Sequence, residues 1–161
     1  MNKRDVAALI DHTILKPEAT KADVARIVEE GAAAGTFSVC VSPSMLPLDV
    51  PDGLKVACVV GFPSGAVKPQ VKAFEAAQAV ADGADEIDMV INVGQVKARN
   101  WDYVADDISG VVKAANGHIV KVILETGLLA DVEKEEACRV AVRAGARFVK
   151  TSTGFGPGGA T

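Results

Sequence analysis

Cysteine is scarce. The 161-residue chain has three, Cys40, Cys58 and Cys138, an odd number, widely spaced and without a CxxC pair. Such spacing suggests neither a disulfide framework nor a zinc site, and fits a reducing compartment. Long apolar runs are missing too. No run of about 18 apolar residues occurs, so a membrane span is not expected. The N-terminal MNKRDVAALIDHT lacks the apolar stretch of a signal peptide, and the expected location is the cytoplasm. Positive charge is not in surplus: 17 Lys and Arg stand against 21 Asp and Glu, a net charge of −4. Nucleic acid is therefore not the expected partner, because neutralising phosphates takes clustered Lys and Arg. A small phosphorylated substrate needs only a few local donors and stays open. Apart from the terminal GFGPGGAT there is no linker or low-complexity tract. A single domain over residues 1–161 is expected.

What is present alternates between two textures. Ala-rich segments with charges at helical spacing cover Lys21–Ala34, Lys68–Asp82, Trp101–Ala115 and Asp131–Ala144. Between them lie β-branched runs: Phe37–Val41, Lys55–Gly61, Glu86–Val93, Val120–Thr126 and Arg147–Thr153, with Ile10–Leu15 as a further short strand after an N-terminal helical turn. That gives about six strands and five crossover helices, the pattern of βαβ units and a parallel sheet. Asp131 is the expected N-cap of the last helix.

Parity narrows the architecture. In Glu86–Val93, alternation places Glu86, Asp88, Val90 and Asn92 on one side and Ile87, Met89, Ile91 and Val93 on the other. Lys121, Ile123 and Glu125 share a face, as do Phe148, Lys150 and Ser152, Asp11 and Thr13, and Ser38, Cys40 and Ser42. A doubly wound sheet carries helices on both sides and needs both faces apolar. A closed barrel has helices outside only, and its interior can hold a polar layer. The parity favours a (β/α) barrel. Length opposes a complete one, since eight strands take about 200 residues or more.

In either architecture, ligands bind at the carboxyl ends of the strands. Lys150, inside FVKTST, is costly to bury unless paired or deprotonated. A neutral lysine is a nucleophile that forms Schiff bases; the plainer alternative is an ion pair with Asp88 or Glu125. Asp88 is a candidate general acid/base, or else a counter-ion to Lys121 or Lys150. Lys121 is either a second cation that lowers the Lys150 amine or a partner of Asp88. Asp11 and Thr13 are candidates for supporting or orienting groups. Cys40, Ser152 and Gly154 are candidates for lining substrate. Cys40 has no base directed at it and is not expected to be catalytic. His12 and His118 are isolated, and no metal site is readable. The glycine-rich turns at residues 154–159 and 61–65 could cradle an anion or simply be loops.

Segments LIDHTILKP (Leu9–Pro17), VCVSP (Val39–Pro43), VGFPSG (Val60–Gly65), EIDMVINVG (Glu86–Gly94), VKVILETGLL (Val120–Leu129) and FVKTSTGFGPGGAT (Phe148–Thr161) closely resemble the deoxyribose-phosphate aldolase family, in order and across essentially the whole chain. The resemblance implies a TIM-type (β/α) barrel and a cytoplasmic class I aldolase that needs no cofactor or metal. Its reaction interconverts 2-deoxy-D-ribose 5-phosphate with D-glyceraldehyde 3-phosphate and acetaldehyde. It puts the Schiff-base lysine on Lys150 and the proton-relay acid on Asp88, with Lys121 and Asp11 in weaker, supporting roles. A small phosphorylated sugar is then the expected partner, with no nucleic acid or membrane, and a homo-oligomer is compatible.

The resemblance also implies two further strands, bearing a second lysine and a phosphate-binding turn, that this sequence lacks. An incomplete barrel of about six of eight strands is expected, poorly active or inactive by itself. Two other readings stay open: a phosphoacceptor, receiver-like signalling domain, though Asp11-His12-Thr13 lacks the paired acids such a domain uses for a divalent cation, and an inactive aldolase remnant.

Overall fold

The two textures of the sequence become the two layers of the fold. In the computed structural model, which describes residues 2–160, the strands are β1 Asp11–Thr13, β2 Ser38–Val41, β3 Lys55–Val60, β4 Glu86–Val90, β5 Ile119–Ile123 and β6 Phe148–Lys150. Met1 and Thr161, the ends of the expected domain and, for Thr161, of the last motif, lie outside the described residues. Every strand is parallel to its chain neighbour, in the order β1-β2-β3-β4-β5-β6. A sheet that never reverses direction of winding is the barrel order; a doubly wound sheet, including that of receiver domains, reverses at a switch point. The fold is an incomplete TIM-type barrel with β1 and β6 as its two edges.

The helices are α1 Lys3–Ala7, α2 Lys21–Ala34, α3 Pro69–Ala81, α4 Val93–Lys97, α5 Trp101–Ala114 and α6 Asp131–Arg143. Local chemistry sets their starts. Thr20 and Asp23 form a reciprocal capping box on α2, and α3 opens with Pro69, whose missing N–H has no partner to lose there. Three expectations are corrected. The β2–β3 crossover holds only a 3-10 turn at Pro43–Met45, not an α-helix. β4 stops at Val90 because Asn92 accepts from the Gln95 N–H and starts α4. Asp131 is the first residue of α6 and Ala130 its cap, with Glu133 reaching back to the Ala130 N–H.

The apolar parity builds the core between sheet and helices. Ile87, Met89 and Ile91 meet Val120, Val122 and Leu124, and both sets pack on Ala76 and Ala79 of α3, Val104, Ile108 and Val111 of α5, and Val140 of α6. Val24 and Ile27 of α2 cover Val39, Val41 and Val56. The opposite strand faces turn inward. There Cys40, Ala57 and Val59 form a small apolar wall, and Asp11, Glu86, Asp88, Lys121 and Lys150 bring charged groups to the same side. No helix among the described residues is long and apolar enough to cross a membrane.

Candidate active site

Register sets the heights of the inward side chains. Val59, Asp88 and Lys121 are aligned across β3, β4 and β5, and Lys150 pairs with Ile123, one inward position higher. Lys150 Nζ donates to Asp88 Oδ2 at 2.7 Å and lies 3.9 Å from Asp11 Oδ2. Lys121 Nζ sits among three carboxylates: Glu86 at 2.6 Å, Asp11 at 2.7 Å and Asp88 at 3.4 Å. Asp11 is fixed from the other side by the Ser38 hydroxyl, 2.7 Å away. Asp88 is fully buried, whereas the Lys150 side chain keeps 36% of its surface exposed. A cavity of about 360 Å³ opens beside it toward the amino ends of the strands, lined by Leu9, Phe37, Phe148 and Val149 with Asp11, Glu86, Lys121 and Lys150. A larger cavity of about 500 Å³ lies against α2 and residues 45–49, away from these charges.

The electrostatics follow from this arrangement. Burial alone would lower the Lys150 ammonium, but the charge and hydrogen bond of Asp88 outweigh it and hold the amine above its ordinary value. Lys121 behaves the same way: burial is overcome by Asp88 and by the hydrogen bonds to Asp11 and Glu86, and its pKa rises. Burial pushes the Asp11 carboxyl up, yet the bonds from Lys121 and Ser38 win and hold it low. The sequence offered Lys121 as a cation that depresses Lys150. Here its charge is spent on carboxylates, and Lys150 is held in the protonated form.

The other nominated residues are distributed around this centre. Thr13 turns its hydroxyl back to the Asp11 carbonyl at 2.8 Å and is exposed, so it joins neither lysine. Cys40 is fully buried, its thiol pushed up to about 12 by burial and by Asp88, an inert part of the wall. Ser152 carries a buried hydroxyl with no partner among the described residues. Gly154 adopts φ +82° in the open loop above the strand. Glu125 does not pair with Lys150. Its carboxylate accepts from the Thr153 hydroxyl and backbone and so anchors the loop after β6. Phe62, after β3, and Phe155, after β6, meet edge to face at 5.4 Å between ring centres.

Three contributors were not singled out from the sequence. Glu86 and Ser38 were assigned to the polar face but not to the site; their parity with Asp88 and Cys40 was the available signal. The third, Lys72 on α3, is fully buried, donates to the Val90 carbonyl at 2.9 Å and pairs with Asp107 on α5 at 2.5 Å. It sits against Gly61, so the pair braces the carboxyl ends of β3 and β4 from outside.

A family profile described as DeoC/LacD family aldolase matches residues 6–160. The chain belongs to the DeoC/LacD aldolase family. It is 55% identical over 158 residues to deoxyribose-phosphate aldolase of Corynebacterium diphtheriae, covering 98% of this chain and 72% of that protein. Identity to the Thermococcus kodakarensis enzyme is 51%, over the whole of this chain and 75% of the relative. Among solved structures, an aldolase superposes with a TM-score of 0.94 at 38% identity, covering 98% of this chain and 72% of that one. A deoxyribose phosphate aldolase of Aeropyrum pernix, described as tetrameric, gives 0.84 at 34% identity over 96% of this chain and 67% of its own. Family and strand order together disfavour the receiver-like reading.

Proposed function

We propose that this aldolase acts as a class I, Schiff-base enzyme on 2-deoxy-D-ribose 5-phosphate, releasing D-glyceraldehyde 3-phosphate and acetaldehyde, with Lys150 as nucleophile and Asp88 as acid/base. The observation that carries the reading is the 2.7 Å contact between Lys150 Nζ, at the carboxyl end of β6, and Asp88 Oδ2 on β4, made across β5 on the inward face of the sheet, where Lys150 also lines an open cavity. The named relatives support the substrate.

The chemistry follows from that contact. Asp88 takes a proton from the Lys150 ammonium, leaving a neutral amine. The amine adds to the C1 carbonyl of the open-chain sugar, and Asp88 returns its proton to the new hydroxyl, which departs as water and leaves an iminium. Its positive nitrogen accepts the electron pair of the C2–C3 bond as that bond breaks. Asp88 takes the proton of the C3 hydroxyl, which leaves as the aldehyde of glyceraldehyde 3-phosphate. The enamine is then protonated at C2, and water returns acetaldehyde and the free amine. Lys121, itself held by Asp11 at 2.7 Å, lies 3.4 Å from Asp88 and helps to fix that carboxylate in place. Cys40 closes the wall, and the unpartnered Ser152 hydroxyl is available to a substrate oxygen. The charge and hydrogen bond of Asp88 raise the Lys150 ammonium, so the free amine is the minority form at neutral pH. A cytoplasmic location and self-association accompany this reading, the latter by analogy with the tetrameric relative.

The test is product release. Incubation of the chain with 2-deoxyribose 5-phosphate should yield acetaldehyde and glyceraldehyde 3-phosphate in equal amounts, and Lys150→Ala should abolish both. Product formation that survives Lys150→Ala would refute the assignment.

A further inference from the structure

We propose that Glu86 is a positioning residue that sets the charge of the pocket: by pairing with Lys121 it ties that lysine's charge to the floor of the barrel and withholds it from the Lys150 amine. The inference rests on the Schiff-base reading of Lys150 and extends it to a residue that acts on the nucleophile through Lys121. Glu86 begins β4, two residues before Asp88 on the same inward face, and is almost fully buried. Its carboxylate lies 2.6 Å from Lys121 Nζ, the shortest of the three carboxylate contacts to that ammonium.

Among the described residues, the charged and titratable groups of the inward cluster around Lys150 are Asp11 from β1, Cys40 from β2, Asp88 from β4 and Lys121 from β5, with Glu86 of β4 reaching it through Lys121; β3 contributes Ala57 and Val59. Cys40 is a neutral thiol. With the carboxylates ionised, three negative groups face two ammonium groups, and one negative charge remains. That surplus favours the charged form of Lys150. Replacing Glu86 by glutamine keeps the shape and removes the surplus. Lys121 then remains charged through Asp11 and Asp88, and the cluster's balance shifts by one charge against the Lys150 ammonium. One charge change in a part-buried cluster moves an amine by about one pH unit.

The experiment is competitive labelling of the full chain with acetic anhydride across roughly pH 6 to 11, read at Lys150 by peptide mass spectrometry. It reports the amine without requiring aldolase chemistry. Glu86→Gln should move the Lys150 midpoint down by about one pH unit, a roughly tenfold gain in free amine at neutral pH. The double variant Glu86→Gln with Lys121→Met restores the surplus negative charge, and its midpoint should lie at or above that of the parent. An unchanged midpoint in folded Glu86→Gln overturns the proposal. So does a double variant whose midpoint falls below the parent, and this second arm decides alone if Glu86→Gln does not fold by circular dichroism. Acetaldehyde trapping with borohydride on the same samples separates the two readings. If the midpoints move as stated but the parent traps no acetaldehyde, the aldolase reading fails and the role of Glu86 stands.

Discussion

Lys121 on β5 and Asp11 on β1 meet at 2.7 Å although three strands separate them in the sheet. At about 4.8 Å per strand, a flat sheet would hold them about 19 Å apart. The contact therefore requires the sheet to curl, and it ties the first edge strand to the interior. Because folding holds the Asp11 carboxyl below its ordinary 3.8, its contribution to stability is present above that value and is lost as pH falls through the lower, folded-state value. Denaturant titrations in the acid range should show Asp11→Asn less stable than the parent at neutral pH. The gap should narrow below about pH 4. A gap that stays constant to low pH would contradict this role.

Asp88→Asn should separate capture from turnover. The amide cannot accept the ammonium proton or relay one to the C3 oxygen, so turnover should fall by about 10²–10⁴-fold. Lys150 simultaneously loses its anionic partner, so borohydride trapping at neutral pH should rise several-fold. Parallel assays of product release and trapping check both. A variant that keeps its turnover removes Asp88 from the proton path.

Much of this centre was legible in the sequence because strand parity is a strict rule. Once EIDMV reads as a strand, Glu86 and Asp88 must share one face, and the same rule places Lys121 and Lys150 on it. The strand ends were less legible. Asn92 caps a helix where apolar residues continue, and Glu125 adopts φ +54° before the 3-10 turn at Thr126–Leu128, so both runs end earlier than their composition suggests. Least legible was the charge balance. Lys121 could serve Lys150 or Asp88 on parity alone, and only the distances to Glu86 and Asp11 show where its charge goes. Lys72 was hidden for a different reason. Within an Ala-rich helix it reads as a solvated face, and its burial depends on Asp107 of another helix.

That pair makes a stability prediction. Lys72 and Asp107 are each fully buried, so removing one partner strands a charge. Lys72→Met should cost about 3–5 kcal/mol in urea unfolding, whereas Lys72→Met with Asp107→Leu should recover most of the loss. If the double variant is as unstable as the single one, the packing around Gly61 and Val90, rather than the charge, holds this corner together.

The loop after β6 is fitted against the β5 end. A Cβ added at Gly127 would stand 1.8 Å from the Pro157 carbonyl oxygen, and one at Gly156 would stand 2.7 Å from the Glu125 carboxyl carbon. Gly127→Ala must displace the loop that follows Ser152. Substrate affinity should weaken several-fold while the labelling midpoint of Lys150 stays put, since the charges around it are untouched. Steady-state kinetics beside Lys150 labelling would show this; a shifted midpoint would mean that the loop also shapes the charge cluster.

The most direct measurement is intact and peptide mass spectrometry of the chain reduced with borohydride in the presence of acetaldehyde. One two-carbon ethyl adduct per chain, located on Lys150 and lost in Lys150→Ala, is the expected result. No adduct at any pH up to the titration range of the amine, or an adduct on another lysine that persists in Lys150→Ala, would contradict a nucleophile at position 150.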